Sequence, residues 1–509
     1  MNGTTVAILI AFICYLLMMI VVGIIYMKKT KSTADYFLGG RGLNSWVAAL
    51  SAQASDMSGW LLMGLPGSVY ALGTGQAWIA IGLFIGTVLN WLLISKRLRR
   101  YTIVANNSLT LPEFFENRFH DKKKILLGIS SVVIVVFFLV YTASALASGG
   151  KLFNTVFGVD YHIALLIGAV VILVYTFLGG FLAVCTTDFI QGTLMLIGLM
   201  IVPIIAYSFV SGDFTGALSA TGIGSTDDYM SLFSNDGKPY SFVDIISQLA
   251  WGFGYCGMPH ILVRFMAVKS EKELKKSSVI AIIWVAISLA AAVIIGVIGR
   301  AFLEPVLEGG AAETVFITMI QTIFTKKFAL PFIGGIFLCG ILAAVMSTAD
   351  SQLLVCASSV SKDIYKNILN PDADDAKTLR ISRITVLVVA VLAFLIAWDP
   401  NSSIMDLVSD AWAGLGSAFG PLVVCSLFWK RTNLPGAVAG ILSGGIFVIV
   451  WDYIPLAGGQ TLYAATGIYS LLLGFFISLL CIVVVSLCTK APSEEILKEF
   501  DAVSNYAEE

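Results

Sequence analysis

Between Ser51 and Gly67 the chain reads SAQASDMSGWLLMGLPG, which sets an aspartate, hydroxyls and glycines midway along an otherwise apolar segment. A carboxylate at the centre of a bilayer costs at least about 3 kcal/mol on insertion scales, so Asp56 implies a partner or a task. The adjoining Met57-Ser58-Gly59 consists of residues at which a membrane helix unwinds. An unwound turn offers carbonyl oxygens and amide hydrogens to an ion and a polar solute near the midplane. The alternative is a Gly-kinked helix whose aspartate makes a structural pair.

A second segment, DIISQLAWGFGYCGMPHILVRFM over 244–266, groups Gly252, Gly254, Gly257 and Pro259 at its middle and predicts another interrupted helix. Gly252 to Gly257 spells GxGxxG, but a dinucleotide fingerprint needs a preceding strand and a βαβ unit, and an apolar span supplies neither. A third segment, GILAAVMSTADSQLL over 340–354, places Ala344, Ser347 and Thr348 at i, i+3 and i+4, on one helical face. Two hydroxyls and a loosened carbonyl there, met by carbonyls from the Ala54–Met57 turn, form a five-oxygen cage without a carboxylate ligand. Oxygen cages select hard cations. With no cluster of carboxylates, sodium suits this one better than calcium. The competing reading has Ser347 and Thr348 bonding back to their own helix or bridging to a neighbour.

Other chemistry is excluded. Ser148-Gly149-Gly150-Lys151 lacks the upstream Gly and the following Ser or Thr of a nucleotide-binding loop, so an ion gradient is the expected energy source. The eight cysteines are scattered through apolar runs with no ligand spacing, and His120, His162 and His260 are too far apart to read as a metal motif.

The elements that must position these segments are membrane spans. Of 509 residues, 58% are hydrophobic and 12% charged, against roughly 25% charged in a soluble domain. Net charge is −1, so the total excludes no partner and only its distribution informs. Apolar runs long enough for about 30 Å of hydrocarbon number about thirteen. They fall near 5–27, 44–72, 74–95, 125–152, 161–178, 188–209, 241–267, 278–301, 330–360, 382–398, 403–428, 434–454 and 462–488. The first lacks a basic leader and precedes Lys28-Lys29, which predicts a retained anchor with its N-terminus outside. Basic clusters at Lys96–Arg100, Lys122–Lys124, Lys269–Lys276, Lys362–Arg380 and Lys430-Arg431 occupy alternate loops and mark the cytoplasmic side. Lys151, Lys238, Arg300, Lys326 and Lys327 are then outside, and the C-terminal tail inside.

Two interrupted spans opening two five-helix blocks, 44–209 and 241–428, predict an inverted repeat with its site between the broken helices. An extra helix and cytoplasmic loop occupy 1–43, an external loop 210–240, two further helices 429–488 and a cytoplasmic tail 489–509. No loop exceeds about 35 residues, too few for a soluble domain of ordinary size, which disfavours a sensor.

With DYFLGGRGL before it and the Phe177-Leu178-Gly179-Gly180 turn leading to Asp188, the run ASDMSGWLLMGLPG, then LAWGFGYCGMPHILVRFMA, then ILAAVMST, resembles the sodium/solute symporter family. The likeness is greatest to its sodium/proline symporters. That resemblance implies an all-α, LeuT-type core of ten helices, with one helix before it and two after. It implies a sodium site at the carbonyls of Ala54, Met57 and Ala344 and the hydroxyls of Ser347 and Thr348. Ser58, Gly59, Tyr141, Trp251, Tyr255 and Pro259 would hold proline, with Trp60 and Gly257 in the same lining, and Asp56 would couple sodium to transport. A carboxylate suits the positive amide end of a half-helix at Ser58-Gly59, and an apolar ring suits the three aromatics. The string STADSQ departs from the common pattern in its charged Asp350, leaving open whether that half of the helix holds water or, with Ser351 and Asp188, a second cation. The implied activity is sodium-coupled import of L-proline across the plasma membrane by alternating access. It involves no bond chemistry, no nucleic acid and no obligate protein partner. The alternatives are a symporter for another amino acid or a carboxylate, or a channel or transport-like sensor.

Overall fold

The computed structural model describes residues 3–27, 33–176, 180–235, 237–455 and 458–506. Phe177-Leu178-Gly179 and Lys28-Lys29 lie outside these. The described chain is helical apart from short β contacts, the longest of which pairs Ser234–Asn235 with Lys238–Pro239 in the loop before the second block.

Among the described residues, ten helices are long and apolar enough to cross a membrane. They are Gly3–Tyr26, Thr74–Val104, Ile125–Phe157, Phe181–Val210, Glu271–Phe302, Pro331–Leu369, Asp375–Ile396, Ile404–Phe428, Leu434–Tyr453 and Ser470–Cys488. The three expected spans missing from this set have a common cause, which is length. The first and second interrupted segments are cut into short pieces, and Tyr161–Thr176 is described over only 16 residues. Enclosure differs sharply among the long helices. Apolar stretches of Pro331–Leu369 and Ile404–Phe428 are 83% and 89% buried, against 33% for Gly3–Tyr26, so the first two run through the interior and the last faces lipid.

Local sequence explains where helices start. Asn44 accepts from the Val47 amide, Thr110 from Glu113, Ser270 from Glu273 and Ser403 from Asp406, each supplying an oxygen to an otherwise orphaned helical N–H. Ser241 and Asp244 cap reciprocally.

The first interrupted segment is helical over Ser45–Asp56, breaks at Met57 (φ −80°, ψ 74°) and resumes through a π turn, Trp60–Gly64, into Leu65–Leu72. The second runs as Phe242–Leu249, tightens to a 3-10 helix over Ala250–Gly257, breaks at Met258 (φ −87°, ψ 103°) and resumes over Pro259–Ala267. Pro259 suits a helix start because its missing N–H is one the first turn leaves unbonded. The two segments lie against each other in opposite senses. Ser51 is bonded to Arg264 and Asp56 to Tyr255, so a step forward in one is a step back in the other. Glycine allows the second segment to sit close to its neighbours. A Cβ on Gly86 would fall 2.2 Å from the Gly252 carbonyl oxygen, and one on Gly252 2.2 Å from that of Gly82, so these backbones touch directly.

His120, part of no metal motif in the sequence, lies with Glu495 and Glu499, one potential ligand atom from each falling within 4.8 Å of the others. The tail helix Glu494–Ser504 folds back onto the loop that carries His120, a contact between residues 379 positions apart.

Candidate functional site

In a continuous helix the Ser58 amide would bond the carbonyl of Ala54, and that of Leu61 the carbonyl of Met57. Here Ser58 N bonds Asp56 O (2.9 Å) and Leu61 N bonds Ser58 O (3.1 Å). The break therefore releases the Ala54 and Met57 carbonyls from the ladder. The Pro331–Ser358 helix answers the first of them. Ser347 Oγ donates to Ala54 O (2.7 Å), with Thr348 Oγ1 at 3.5 Å from the same oxygen and Ser347 Oγ at 3.2 Å from Ala344 O. Four of the five oxygens named for the cage thus meet, all from fully buried residues, and the fifth belongs to the released Met57 carbonyl. Ser347 both bridges to the neighbouring segment and bonds back to its own helix.

Asp56 faces the other broken helix. Tyr255 donates its hydroxyl to Asp56 Oδ2 (2.6 Å), while Asp56 Oδ1 is buried with no hydrogen-bond partner among the described residues. The Asp56 carbonyl also accepts from Trp60 Nε1 (3.0 Å) and Tyr141 Oη (3.3 Å), and Ser58 Oγ accepts from the Trp60 amide (3.3 Å). Gly59 packs on Ile125–Phe157, where a Cβ would lie 2.1 Å from Ser148 Oγ. Ser58, Gly59, Trp60, Tyr141 and Tyr255 are thus gathered at one break.

The other three residues named for the solute have other neighbours. The Trp251 ring stacks on Tyr469 at 5.1 Å and borders a cavity of about 610 Å³. Gly257 faces Ile404–Phe428, where a Cβ would fall 2.7 Å from Leu415 O. Pro259 borders a small cavity with Arg264 and Ser351.

Around Asp188 the positive charge is the protein's own. Arg264 approaches Asp188 Oδ2 at 3.2 Å, Ser51 Oγ donates to the same oxygen (2.7 Å), and Arg264 also donates to Ser51 Oγ (3.1 Å), Ser351 Oγ (2.6 Å) and its own helix at His260 O (2.6 Å). Every member is buried, and the guanidinium lies between Asp188 and Ser351, while Asp188 Oδ1 has no hydrogen-bond partner among the described residues.

Sequence reasoning missed Arg264, whose position near a span's end reads as an ordinary basic flank. It also missed His260, buried with both ring nitrogens unpartnered among the described residues and its ring edge-on to Phe138 (5.4 Å) and Tyr141 (6.2 Å). Lys151, a basic residue of a loop expected outside, has a partner the sequence does not reveal. It belongs to a buried pair with Glu313 (2.6 Å), whose other oxygen accepts from the Ile404 and Met405 amides at the start of Ile404–Phe428.

The model of the sodium:solute symporter family matches residues 36–444, most of the chain and both interrupted segments. The chain belongs to that family. Among curated members it is 43% identical over 505 residues to a protein named sodium/proline symporter from Staphylococcus aureus, covering 97% of this chain and 95% of that one. It is 44% identical over 508 residues to the protein of the same name from strain JH9, with the same shares covered. Among solved structures, the substrate-bound, outward-open state of a sodium-coupled sialic acid symporter superposes with a TM-score of 0.77 over 97% of this chain and 99% of that one, at 20% identity. The transporter MhsT in complex with L-phenylalanine gives 0.54 over 88% and 98%, at 14% identity. At such identities these two show the shared fold, that of LeuT-type transporters. This symporter-family member is therefore a multi-pass membrane transporter and no enzyme.

Proposed function

We propose that this protein imports L-proline coupled to sodium by alternating access, with the ion held at the break in the first interrupted segment. The observation that carries the reading is the Ala54 carbonyl, freed from its helix and met by the hydroxyls of Ser347 and Thr348. Ala54, Met57, Ala344, Ser347 and Thr348 are the proposed sodium ligands, an all-oxygen set suited to a hard monovalent ion.

The solute lies beside it. Gly59 offers its amide hydrogen and Ser58 its hydroxyl to a carboxylate at the start of a half-helix. Tyr141, Trp60 and Tyr255 offer ring surface, and the unpartnered Asp56 oxygen suits an ammonium group or the ion's field. Proline is the solute named for the relatives at 43% and 44% identity. Trp251 serves on the approach from the larger cavity, Pro259 and Gly257 shape the second break, and Asp188 with Ser351 acts through Arg264.

Counting both interrupted segments and Tyr161–Thr176 as crossings gives about thirteen. The proposed core is 44–209 and 241–428 as inverted repeats, which the opposite senses of the broken segments support. The N-terminus is outside and the tail cytoplasmic, in the plasma membrane.

Uptake of labelled proline into proteoliposomes tests the proposal. With one sodium per proline, a tenfold gradient and 100 mV together supply about 3.7 kcal/mol, enough for roughly 500-fold accumulation. Equal proline on both sides of tight vesicles under that gradient would sink coupled transport. Accumulation of a different amino acid or a carboxylate in proline's place would sink the choice of solute.

A further inference from the structure

The tail helix Glu494–Ser504 has 11 residues, too few to persist in water without tertiary support. Ser493 caps it, and Ile496, Phe500 and Val503 bury one stripe against the loop region. Arg97 and Arg118 lie over the Phe500 ring at 4.9 and 5.3 Å. Beside that stripe, Glu495 and Glu499 stand at i and i+4, on one face, and both reach the imidazole of His120. Nε2 is 3.0 Å from Glu499 and Nδ1 is 3.6 Å from Glu495.

An imidazolium between two carboxylates would explain those distances but not a third carboxylate beside them. Asp121 is 2% exposed, and its Oδ2 accepts from the Leu126 amide (2.6 Å). Its Oδ1 has no partner among the described residues, and Asp121 lines the same cavity of about 270 Å³ as His120 and Glu499. Glu116 lines it too, 4.0 Å from Lys124. Lys122 is the one basic side chain in that lining, against Glu116, Asp121 and Glu499. Buried acceptors without donors are costly, and the negative charge left over around one imidazole is what a dication neutralises.

We propose that His120, Glu495 and Glu499 bind a borderline divalent metal of the zinc class, fastening the tail helix to the loop, with Asp121 as acceptor for a metal-bound water. One nitrogen and two carboxylate oxygens, with no thiolate, are ligands that zinc and its first-row neighbours accept. Their mutual spacing, within 4.8 Å, needs only side-chain rotation to reach ion–ligand distances of about 2.1 Å. Glu495 has the freedom for it, its side chain being 76% exposed.

The test uses the full-length, tag-free protein in detergent, stripped with chelator and titrated calorimetrically with zinc alone. Expected is one zinc per chain, weakened at least about tenfold by His120→Asn and by Glu495→Gln. Both changes spare the fold. His120 sits in the left-handed region (φ 49°), which asparagine tolerates, and Glu495 is at the surface. Zinc should also slow tryptic cleavage at Lys498 in the wild type and not in His120→Asn, and cobalt in its place should give the visible absorption of a four-coordinate ion. No zinc uptake, or equal uptake by His120→Asn, would overturn the site and leave a hydrogen-bonded clamp. Binding with unchanged cleavage would overturn the fastening role.

Discussion

The two ends of the bundle are closed by different means. At the end carrying Lys96–Arg100, arginines are spent on main-chain carbonyls. Arg41 bonds Met266 O (2.6 Å) and Ser108 O (2.9 Å), Arg99 bonds Val268 O (2.8 Å) and Lys269 O (2.9 Å), and Arg264 holds Asp188, Ser51 and Ser351 together. Arg100 pairs with Glu271, and Lys362 pairs with Glu113 at 2.6 Å. About 20 Å³ of space remains beside Pro259 and Arg264, and a further cavity of about 420 Å³ lies at the rim beside Lys96 and Glu271. The opposite end has a cavity of about 610 Å³ bordered by Trp251, Tyr469 and Asp406, with Glu313, the partner of Lys151, on its wall. On the proposed orientation the cytoplasmic door is bolted by many charge-assisted bonds, while the external door stands ajar. Release to the cytoplasm therefore requires a network to come apart, whereas entry requires little rearrangement.

The comparison breaks most visibly at Arg264. Arg264→Met should strand Asp188 as a buried, unpaired carboxylate and cost about 3–5 kcal/mol, read as a fall in thermal unfolding temperature in detergent. Asp188→Asn added to Arg264→Gln should recover most of that loss. A single variant as stable as the wild type would mean that the guanidinium does not bolt this end. At the other end Glu313→Gln keeps the side chain's shape but weakens its bonds to Lys151 and the Ile404 amide, for about 1–3 kcal/mol by the same measurement. A loss larger than that from Arg264→Met would reverse the ranking of the two ends.

Between them, Thr348→Val should raise the sodium needed for half-maximal proline uptake about five- to tenfold, the worth of about 1–1.4 kcal/mol, with proline affinity at saturating sodium changed far less. An unaltered sodium dependence would remove Thr348 from the cage. The smallest effect belongs to the rim. Arg100→Gln should cost less than about 1 kcal/mol and grow smaller still as salt is added, because its pair with Glu271 is partly solvated. A salt-insensitive loss would show that this pair works with the buried network.

The breaks were legible because they are written in local chemistry: glycine, proline and hydroxyls inside apolar runs have few other uses. The face shared by Ala344, Ser347 and Thr348 was legible for the same reason, since helical spacing alone aligns them. What sequence could not convey was direction across the bundle. Trp251 and Gly257 look like neighbours of Tyr255 in a string, yet the tight 3-10 turn points Trp251 to Tyr469 and Gly257 to Leu415. Arg264 and Asp188 are 76 residues apart, and His120 and Glu499 are 379 apart, so those contacts are set by how helices stack and by no local pattern. The number of crossings blurred because hydropathy sees length, and a broken span has been traded into two short pieces.

The touching backbones at Gly82, Gly86 and Gly252 bear on how such a machine can move. Most helix pairs interlock by side chains, and shifting one past the other means lifting each knob out of its hole. Where glycine meets glycine there are no knobs, and the surfaces behave as a smooth bearing between Ala77–Leu89 and Ala250–Gly257. This bearing lies beside the second break, close in sequence to Tyr255 and its bond to Asp56. A methyl group on any of the three would act as grit.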